Sequence, residues 1–349
     1  MTIQELMKKA VDSRASDLHL IVGEPPTLRI DGELEHIKGQ PRLRSDDTRS
    51  LIYSILTADQ IKRFENEQEY DFSFDLSGVS RFRINLHFEL RSVAVAVRIV
   101  PHVIPDAKEL DFDETLYELT HINSGLVLVT GASGMGKSTT LAAMIDIINS
   151  ERRAHIITIE DPIEFIFTPK QSIIEQREVD IDTHSFSSAL KRVLRQDPNV
   201  IFVGEMRDLE TFQATLTSAE TGHLVLSTLH TPSAAQTVDR IIDMFPPYQQ
   251  DEARVQLSSV LRAIVAQQLV PQVGGGRIAV REVLINTPAI ANMIRENQIA
   301  QIPSAMQMGT KEGMRTMDVA LRQLYLAGRI SETTAKNRMV DPDKLSTYF

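Results

Sequence analysis

The stretch GLVLVTGASGMGKST, residues 125–139, decides the fold of this chain. It carries the pattern G-x-x-x-x-G-K-[ST] between two segments of different periodicity. The β-branched apolar run at 126–130 predicts a buried strand, and the run at 137–149 predicts a helix. A strand, a glycine-rich loop and a helix in this order are typical of a phosphate-binding loop.

The loop is expected to bind the phosphates of a nucleotide. Its glycines let successive backbone N–H groups turn inward, and the N-terminus of the following helix adds partial positive charge. Lys137 is placed to reach the β- and γ-phosphate oxygens, and the Ser138 hydroxyl to ligate Mg²⁺. We therefore predict ATP and Mg²⁺ as ligands, bound by Gly131, Ser133, Gly134, Met135, Gly136, Lys137, Ser138 and Thr139.

Toward the C-terminus, short apolar runs alternate with helical patterns. The runs lie at 156–159, 200–203 and 223–228. Strands that are buried on both faces and separated by helices imply an α/β domain with a largely parallel sheet. From about Gln249 the pattern turns mostly helical to the end of the chain, apart from a strand predicted at 278–285.

Toward the N-terminus, the first hundred residues predict a small α+β domain. An opening helix is followed by strands at 17–22 and 27–30, a helical pattern at 45–66, and strands at 82–86 and 93–100. Pro101 and Pro105 bracket a segment without periodicity. We expect an N-terminal domain at 1–100, a linker at 101–112 and an ATPase domain with C-terminal helices at 113–349.

Hydrolysis requires more than a phosphate loop, because an acidic group must orient or deprotonate water and another must serve the metal. Glu164 follows the strand predicted at 156–159. Glu205 follows the strand predicted at 200–203, where Gly204 occupies the usual aspartate position. The C-terminal ends of parallel strands meet at the edge where ligands bind. Both glutamates are therefore candidates for catalysis.

Two histidines bracket the strand predicted at 223–228. His223 and His230 lack further Cys or His partners at metal-ligand spacing, so we reject a zinc site. We expect His230, at the C-terminal end of the strand, to sense the γ-phosphate, and His223 to make a local hydrogen bond.

Composition narrows the class of protein. With 42% apolar and 24% charged residues, the chain matches an ordinary globular protein. It has no cysteine, no apolar run near the ~18 residues of a membrane span, and no secretory signal pattern, so we expect a cytoplasmic protein. The net charge of −10 disfavours stable nucleic-acid binding, which depends on clustered Lys and Arg.

The order of these motifs resembles the secretion ATPase superfamily, the hexameric motors of type II and type IV secretion and of type IV pili. Within it the chain is similar to the PilT/PilU branch, the retraction ATPases of twitching motility. The resemblance covers nearly the whole chain. Its strings are Ala15-Ser16-Asp17-Leu18-His19-Leu20, Ile30-Asp31-Gly32, Asp71-Phe72-Ser73-Phe74, Arg81-Phe82-Arg83, residues 159–164, 204–211 and 220–223, and Gly274-Gly275-Gly276-Arg277.

The resemblance implies roles for single residues. Glu164 matches the catalytic glutamate of the family and Glu205 the glutamate on the magnesium side, while His223 and His230 match a histidine box. The N-terminal domain would be PAS-like and the second domain RecA-like. Arg83 and Arg98 match arginines that reach the nucleotide at the interdomain cleft, where such a charge is worth ~10³–10⁵ in rate.

The resemblance also implies partners and a location. A homohexamer would act on an inner-membrane pilus platform protein, peripherally at the inner membrane, with a paralogous motor ATPase as a further partner. Residues 289–296, AIANMIRE, lack the first arginine of the family's AIRNLIRE, and residues 263–271 are closer to PilU relatives. The absence of cysteine counts against the extension motors, which carry a four-cysteine metal site.

Three alternatives stay open. A PilU-like accessory ATPase would assist a primary retraction motor, and a nucleotide-gated subunit would bind ATP without significant turnover. A DNA-translocating secretion-type ATPase would show salt-dependent DNA affinity and DNA-stimulated turnover. A small-molecule kinase would share the phosphate loop but would explain neither the histidine box nor the N-terminal domain.

Overall fold

The computed structural model describes residues 1–30, 32–100 and 103–345, and the chain forms two compact units. The first unit is Met1–Val103 with Glu164–Ile166, and the second is Ile104–Ile163 with Phe167–Phe349. Pro101 and His102, where the predicted linker begins, and Asp31 lie outside the described residues. Residues 104–112 of that linker group with the second unit.

Over its described residues, the first unit is a six-stranded antiparallel sheet with three helices. The strand order is β3-β2-β1-β6-β5-β4. Its elements are α1 Ile3–Asp12, β1 Asp17–Leu20, β2 Thr27–Ile30, β3 Glu33–His36, α2 Ser45–Tyr53, α3 Ala58–Glu67, β4 Glu69–Leu76, β5 Ser80–Glu89 and β6 Ser92–Val100.

One face of this sheet forms the core of the first unit. Alternate residues of β5 are fully buried, as the two-residue period of a strand requires: Phe82, Ile84 and Leu86. They cluster with Leu6 and Met7 of α1. The helix-and-strand pattern predicted for this region is confirmed, but the helical pattern at 45–66 is two helices, because a new capping box begins α3.

The second unit contains the strand, loop and helix predicted at 125–149. Its strands are β7 Gly125–Thr130, β8 His155–Glu160, β9 Ile173–Glu178, β10 Val200–Val203, β11 Leu224–Leu229, β12 Leu261–Pro271 and β13 Arg277–Ile285. Its helices are α4 Glu114–Leu119, α5 Lys137–Glu151, α6 Phe186–Val193, α7 Leu209–Glu220, α8 Ala234–Asp243, α9 Gln250–Val260, α10 Pro288–Arg295, α11 Ile302–Met308, α12 Met317–Leu326 and α13 Glu332–Arg338.

The strands of the second unit form one sheet in the order β13-β12-β7-β11-β10-β8-β9. All neighbouring pairs are parallel except β12 with β13. The predicted α/β class with a largely parallel sheet is therefore confirmed. The central strands β7, β10 and β11 are buried along their whole length, which explains their continuous apolar sequences.

The structure corrects the expectation that the chain is mostly helical from Gln249 apart from residues 278–285. Leu261–Pro271 is a long strand, β12, that lies between β7 and β13. Its apolar run is interrupted by Arg262, Gln267 and Gln268, so it shows no regular strand pattern; Gln267 is accommodated because its amide is hydrogen bonded inside the protein. After β13 the chain is helical, as predicted.

Three further strands, all at the edges of their sheets, were not predicted. All of β3 is exposed and β9 has a mixed polar pattern, so neither shows an apolar period. β4 does alternate polar and apolar residues, and its apolar side chains pack against the core of the first unit, so its pattern was present in the sequence and was overlooked. Among the residues that the structure describes, no helix combines the length and the apolar character needed to span a bilayer.

Candidate active site

The predicted phosphate loop lies between β7 and α5. The loop ends at Gly136, which is the N-cap of α5, and no side chain caps this helix. The first N–H groups of an uncapped helix are free to bind an anion, and the helix dipole favours negative charge there. The loop and the first turn of α5 thus have the free backbone N–H groups that the predicted phosphate site requires.

Two glycines of the loop are required by its geometry. Gly131 has φ +142°, and a Cβ atom there would lie 2.4 Å from the carbonyl oxygen of Gln267. Gly136 has φ +77°, in the left-handed region that favours glycine. The two glycines of the sequence pattern therefore correspond to two positions where a side chain would be strained.

Lys137 is buried, and its ammonium group lies against the loop. Its Nζ donates hydrogen bonds to the carbonyl oxygens of Gly131 at 2.8 Å and Ala132 at 3.0 Å. The positive charge is thereby held at the loop, where the phosphates of a nucleotide are expected. Of the other predicted phosphate-site residues, Ser133 and Gly134 are exposed, and Met135, Ser138 and Thr139 are half-buried.

Four neighbouring parallel strands bring further side chains to the same edge of the sheet. In register, Val203 at the end of β10 lies beside Ser227 of β11 and beside Ile159 of β8, and Leu229 of β11 lies beside Thr130 of β7. The residues that follow these strands therefore lie along the edge that carries the phosphate loop.

Glu205 is the centre of a charged cluster at this edge. Its carboxylate is largely buried and pairs with the guanidinium of Arg207. It also lies 3.3 Å from Nε2 of His230, and Arg207 lies 3.9 Å from Asp161. The structure thus brings Glu205 and His230 together, although 25 residues separate them in the chain.

Burial lowers the pKa of His230 below its usual value, and the charges of Lys137 and Arg207 lower it further. The imidazole is therefore neutral at pH 7. A neutral ring beside a carboxylate at 3.3 Å donates from Nε2 to Glu205. Because the charge of Lys137 lowers the pKa of His230, the two side chains lie within Coulombic range of each other.

His223 is at the other end of β11. Its Nδ1 lies 3.0 Å from the carbonyl oxygen of Ser218 and 3.2 Å from the hydroxyl of Thr221. The local hydrogen bond expected of His223 is thus present. A strand of six residues separates it from His230, about 20 Å along the strand, so the two histidines do not act on one ligand.

The structure groups the remaining predicted residues with the first unit. Glu164 is in the segment Glu164–Ile166, whereas the phosphate loop belongs to the second unit. Arg83 is exposed on β5 and Arg98 is exposed on β6, where it forms an ion pair with Asp17 at 2.9 Å. The roles of Glu164, Arg83 and Arg98 toward a nucleotide stay predictions.

The chemistry of the edge fits a magnesium–nucleotide complex. Ser138 and Glu205 offer a hydroxyl and a carboxylate, the oxygen ligands that Mg²⁺ prefers. Within the described parts of the chain, no group of three or more His, Asp or Glu residues is arranged to hold a metal alone. Mg²⁺ usually takes most of its ligands from phosphates and water, so one or two protein oxygens are enough.

A cavity of about 350 Å³ opens beside the first turn of α5. Its lining contains charged groups of both signs and polar groups, among them Thr139, Thr140, Glu109, Asp111, Arg277, Arg281 and Arg329. Its volume is within the range of small-molecule sites, and its position adjoins the phosphate loop.

Sequence reasoning missed two residues at this site, Gln267 and Arg281. Both are buried on β12 and β13, and Gln267 is hydrogen bonded to the phosphate loop. A glutamine within the apolar run at 263–271 was the available signal, because a polar side chain in a buried strand needs an internal partner. Which partner it has depends on the order of strands in the sheet.

Comparison with known proteins identifies the family of the chain. The family model described as "Type II/IV secretion system protein" matches residues 1–276. The chain is 46% identical over 343 residues to the "Type IV pilus retractation ATPase PilT" of Pseudomonas aeruginosa, covering 98% of this chain and 99% of that protein.

Two further comparisons extend this result. The chain is 41% identical over 332 residues to the "Type IV pilus ATPase PilU" of the same organism, covering 95% of this chain and 87% of that protein. A crystal structure of the pilus retraction motor PilT with bound ADP matches with a TM-score of 0.92 at 48% identity, covering 99% of this chain and 98% of that one.

Proposed function

This chain belongs to the family of type II/IV secretion system proteins, and from that premise we propose that it is the ATPase motor that retracts type IV pili. It is an ATP hydrolase that converts ATP and water to ADP and phosphate. The observation that carries this function is the 46% identity to a retraction ATPase over 98% of the chain. The phosphate loop supports it, because Lys137 is hydrogen bonded to the loop and brings a positive charge that can neutralise a triphosphate.

The second unit binds the triphosphate. Backbone N–H groups of the loop and of the first turn of α5 donate to the phosphate oxygens, and Lys137 neutralises their charge. Ser138 and Glu205 would hold Mg²⁺, which supplies positive charge to the β- and γ-phosphates when bound. His230, whose neutral imidazole is hydrogen bonded to Glu205, would respond to the γ-phosphate.

Residues of the first unit complete catalysis in this proposal. Glu164 orients the attacking water. Arg83 and Arg98 neutralise charge that develops on the γ-phosphate in the transition state. In this proposal hydrolysis needs residues of both the PAS-like N-terminal unit and the RecA-like unit, which couples turnover to movement.

We base the proposed assembly and partners on the likeness to this family. Six copies form a ring in the cytoplasm, peripherally at the inner membrane, and the ring acts on a membrane-embedded pilus platform protein. Sequential closing around the ring moves that platform and withdraws pilin subunits from the base of the fibre. Stable nucleic-acid binding is not expected, given the net charge of −10.

An accessory role beside a paralogous motor is the second candidate. The chain is 41% identical to a PilU ATPase, only slightly below its identity to PilT. An accessory ATPase and a primary motor differ in whether retraction persists when the gene is lost.

Deletion of the gene tests the function. We expect cells with excess surface pili that do not twitch, restored by the wild-type gene but not by a Lys137→Ala allele, because that variant lacks the phosphate-binding charge. Cells without pili would contradict retraction and favour extension. Cells that still twitch would show that the chain assists another motor.

A further inference from the structure

Gln267 and Arg281 form a buried polar pair beside the phosphate loop. They lie directly opposite each other on the antiparallel strands β12 and β13. Gln267 is 2% exposed and Arg281 is 4% exposed. Burial of an amide and a guanidinium is costly unless both are hydrogen bonded, so their partners explain why they are there.

Gln267 contacts the phosphate loop and the helix that follows it. Its Nε2 donates to the carbonyl oxygen of Met135 at 2.7 Å, and its Oε1 accepts from the Thr140 hydroxyl at 2.8 Å. Its own backbone carbonyl occupies the space where a Cβ of Gly131 would lie. One residue of β12 thus touches the start of the loop, its end and the first turn of α5.

Arg281 decides which way the amide of Gln267 faces. Its Nε donates to Oε1 of Gln267 at 2.9 Å, so that end of the amide is the acceptor. The NH₂ group must then face Met135. Arg281 is itself anchored by the Asp111 carbonyl at 3.3 Å and by the ring of Phe112, whose centroid is 5.2 Å from the guanidinium carbon. Burial lowers the pKa of Arg281 to about 10, so it remains charged at pH 7.

The hydrogen bond to Met135 controls a phosphate-binding group. The carbonyl of Met135 and the N–H of Gly136 belong to one planar trans peptide, so they point in opposite directions. A donor that holds the carbonyl on the β12 side therefore turns the N–H of Gly136 to the other side of the loop, where an anion would lie.

We propose that Gln267 is a positioning residue for the phosphate loop, and that Arg281 sets its orientation. Gln267 acts through the Met135–Gly136 peptide and need not touch the nucleotide. The proposal rests on the proposed ATPase function, because it assumes that the loop binds the phosphates of ATP and ADP.

Gln267→Glu separates this role from a general contribution to the fold. The carboxylate still accepts from Thr140 and Arg281, but it has no N–H to donate and places an oxygen against the Met135 carbonyl. Gln268→Glu is the matched control, since Gln268 is the next residue on β12, is half-buried and points to the other face of the sheet. ADP affinity, KM and kcat for ATP, and Tm without nucleotide are measured for both variants and the wild type.

We expect Gln267→Glu to weaken ADP binding and raise KM at least ~10-fold, equivalent to about 1.4 kcal/mol. Its kcat at saturating ATP should change less. Its Tm should fall, because a buried carboxylate oxygen then faces the Met135 carbonyl without a hydrogen bond, so binding is measured at a temperature where the variant is fully folded. Gln268→Glu should behave like the wild type in every assay. Wild-type ADP affinity in Gln267→Glu would overturn the proposal, as would an equal loss of affinity in Gln268→Glu.

Gln267→Leu decides the matter if Gln267→Glu does not fold. Leucine keeps the volume and apolar packing of the strand but makes none of the hydrogen bonds. Weakened ADP binding in folded Gln267→Leu supports the proposal, and wild-type affinity refutes it. A wild-type protein without ATPase activity would instead refute the proposed function, whereas an active wild type with fully active Gln267 variants refutes the positioning role alone.

Discussion

Arg83 on β5 and Arg98 on β6 lie directly opposite each other in the antiparallel register of the N-terminal sheet. Like charges in this arrangement repel, because facing side chains lie about 4.5–5.5 Å apart at Cβ. Asp17 on β1 pairs with Arg98 at 2.9 Å and partly neutralises it. Within the described parts of the chain, Arg83 has no such ion pair.

The Arg83–Arg98 relationship predicts unequal effects on catalysis. Arg83→Ala should lower kcat by roughly 10³-fold if this arginine stabilises the transition state, while Arg98→Ala should lower it less because Asp17 already compensates its charge. Arg83→Ala should not lower Tm, because it removes a like-charge repulsion. Arg98→Ala should lower Tm slightly, because it also removes the ion pair with Asp17. Steady-state ATPase assays on both variants, with Arg49→Ala on the exposed surface of α2 as control, measure this. Equal losses, or a larger loss in Arg98→Ala, would contradict it.

The loop glycines predict a graded series. Gly131→Ala should weaken ADP binding by roughly 100-fold or more, about 2.7 kcal/mol, because the added Cβ meets the Gln267 carbonyl at 2.4 Å. Gly134→Ala is the control, since its Cβ would meet nothing within 4 Å although φ is +76°. Gly134→Ala should lower the free energy of unfolding only through backbone strain, by about 1–2 kcal/mol. Calorimetric titration with ADP measures the affinity of both variants, and thermal unfolding measures their stability. An equal or larger loss of ADP affinity in Gly134→Ala would contradict the prediction.

Glu164 is predicted to act on water and not on nucleotide affinity. Glu164→Gln should keep ADP and ATP affinity near the wild-type value and reduce turnover by ~10²–10⁴, because the amide cannot accept the proton. Glu210→Gln on the exposed surface of α7 is the control, with unchanged turnover expected, since exposed ion pairs such as Glu210 with Lys191 contribute little. Full turnover in Glu164→Gln would remove this residue from the mechanism.

His230 predicts an acid-sensitive step in stability. Burial lowers its pKa in the folded protein, with Lys137 and Arg207 lowering it further and Glu205 adjacent. The unfolded chain then binds this proton more readily, so stability is full above the usual histidine pKa of about 6.5 and falls as pH drops below it. Burial also lowers the pKa of His19, which adds a similar dependence in the first unit.

Thermal unfolding between pH 7.5 and 5 measures this dependence. His230→Gln should lose less Tm over that range than the wild type, and His36→Gln on the exposed strand β3 should follow the wild type. An unchanged pH profile in His230→Gln would show that its imidazole does not titrate differently in the folded state.

Local patterns were sufficient for much of the fold and for the phosphate loop. The run at 126–130 and the glycines at 131 and 136 encode a strand, a turn and a helix within 25 residues, so neighbouring side chains and backbone preferences decide the outcome. β3 and β9 escaped because exposed edge strands carry no apolar period. β12 was not predicted because its buried Gln267 interrupts the apolar run, and the hydrogen-bond partner of this glutamine, Met135, is distant in the sequence.

The sequence alone predicted the strand, the glycine-rich loop and the helix, and determined which acids follow the buried strands, because these features are short-range consequences of residue type. Only the tertiary structure decided which side chains meet. Gln267 reaches Met135 across 132 residues, and Glu205 reaches His230 across 25. Both contacts depend on the order β12-β7-β11-β10 in the sheet. Strand order is set by how the whole core packs, and no local pattern in the chain carries that information.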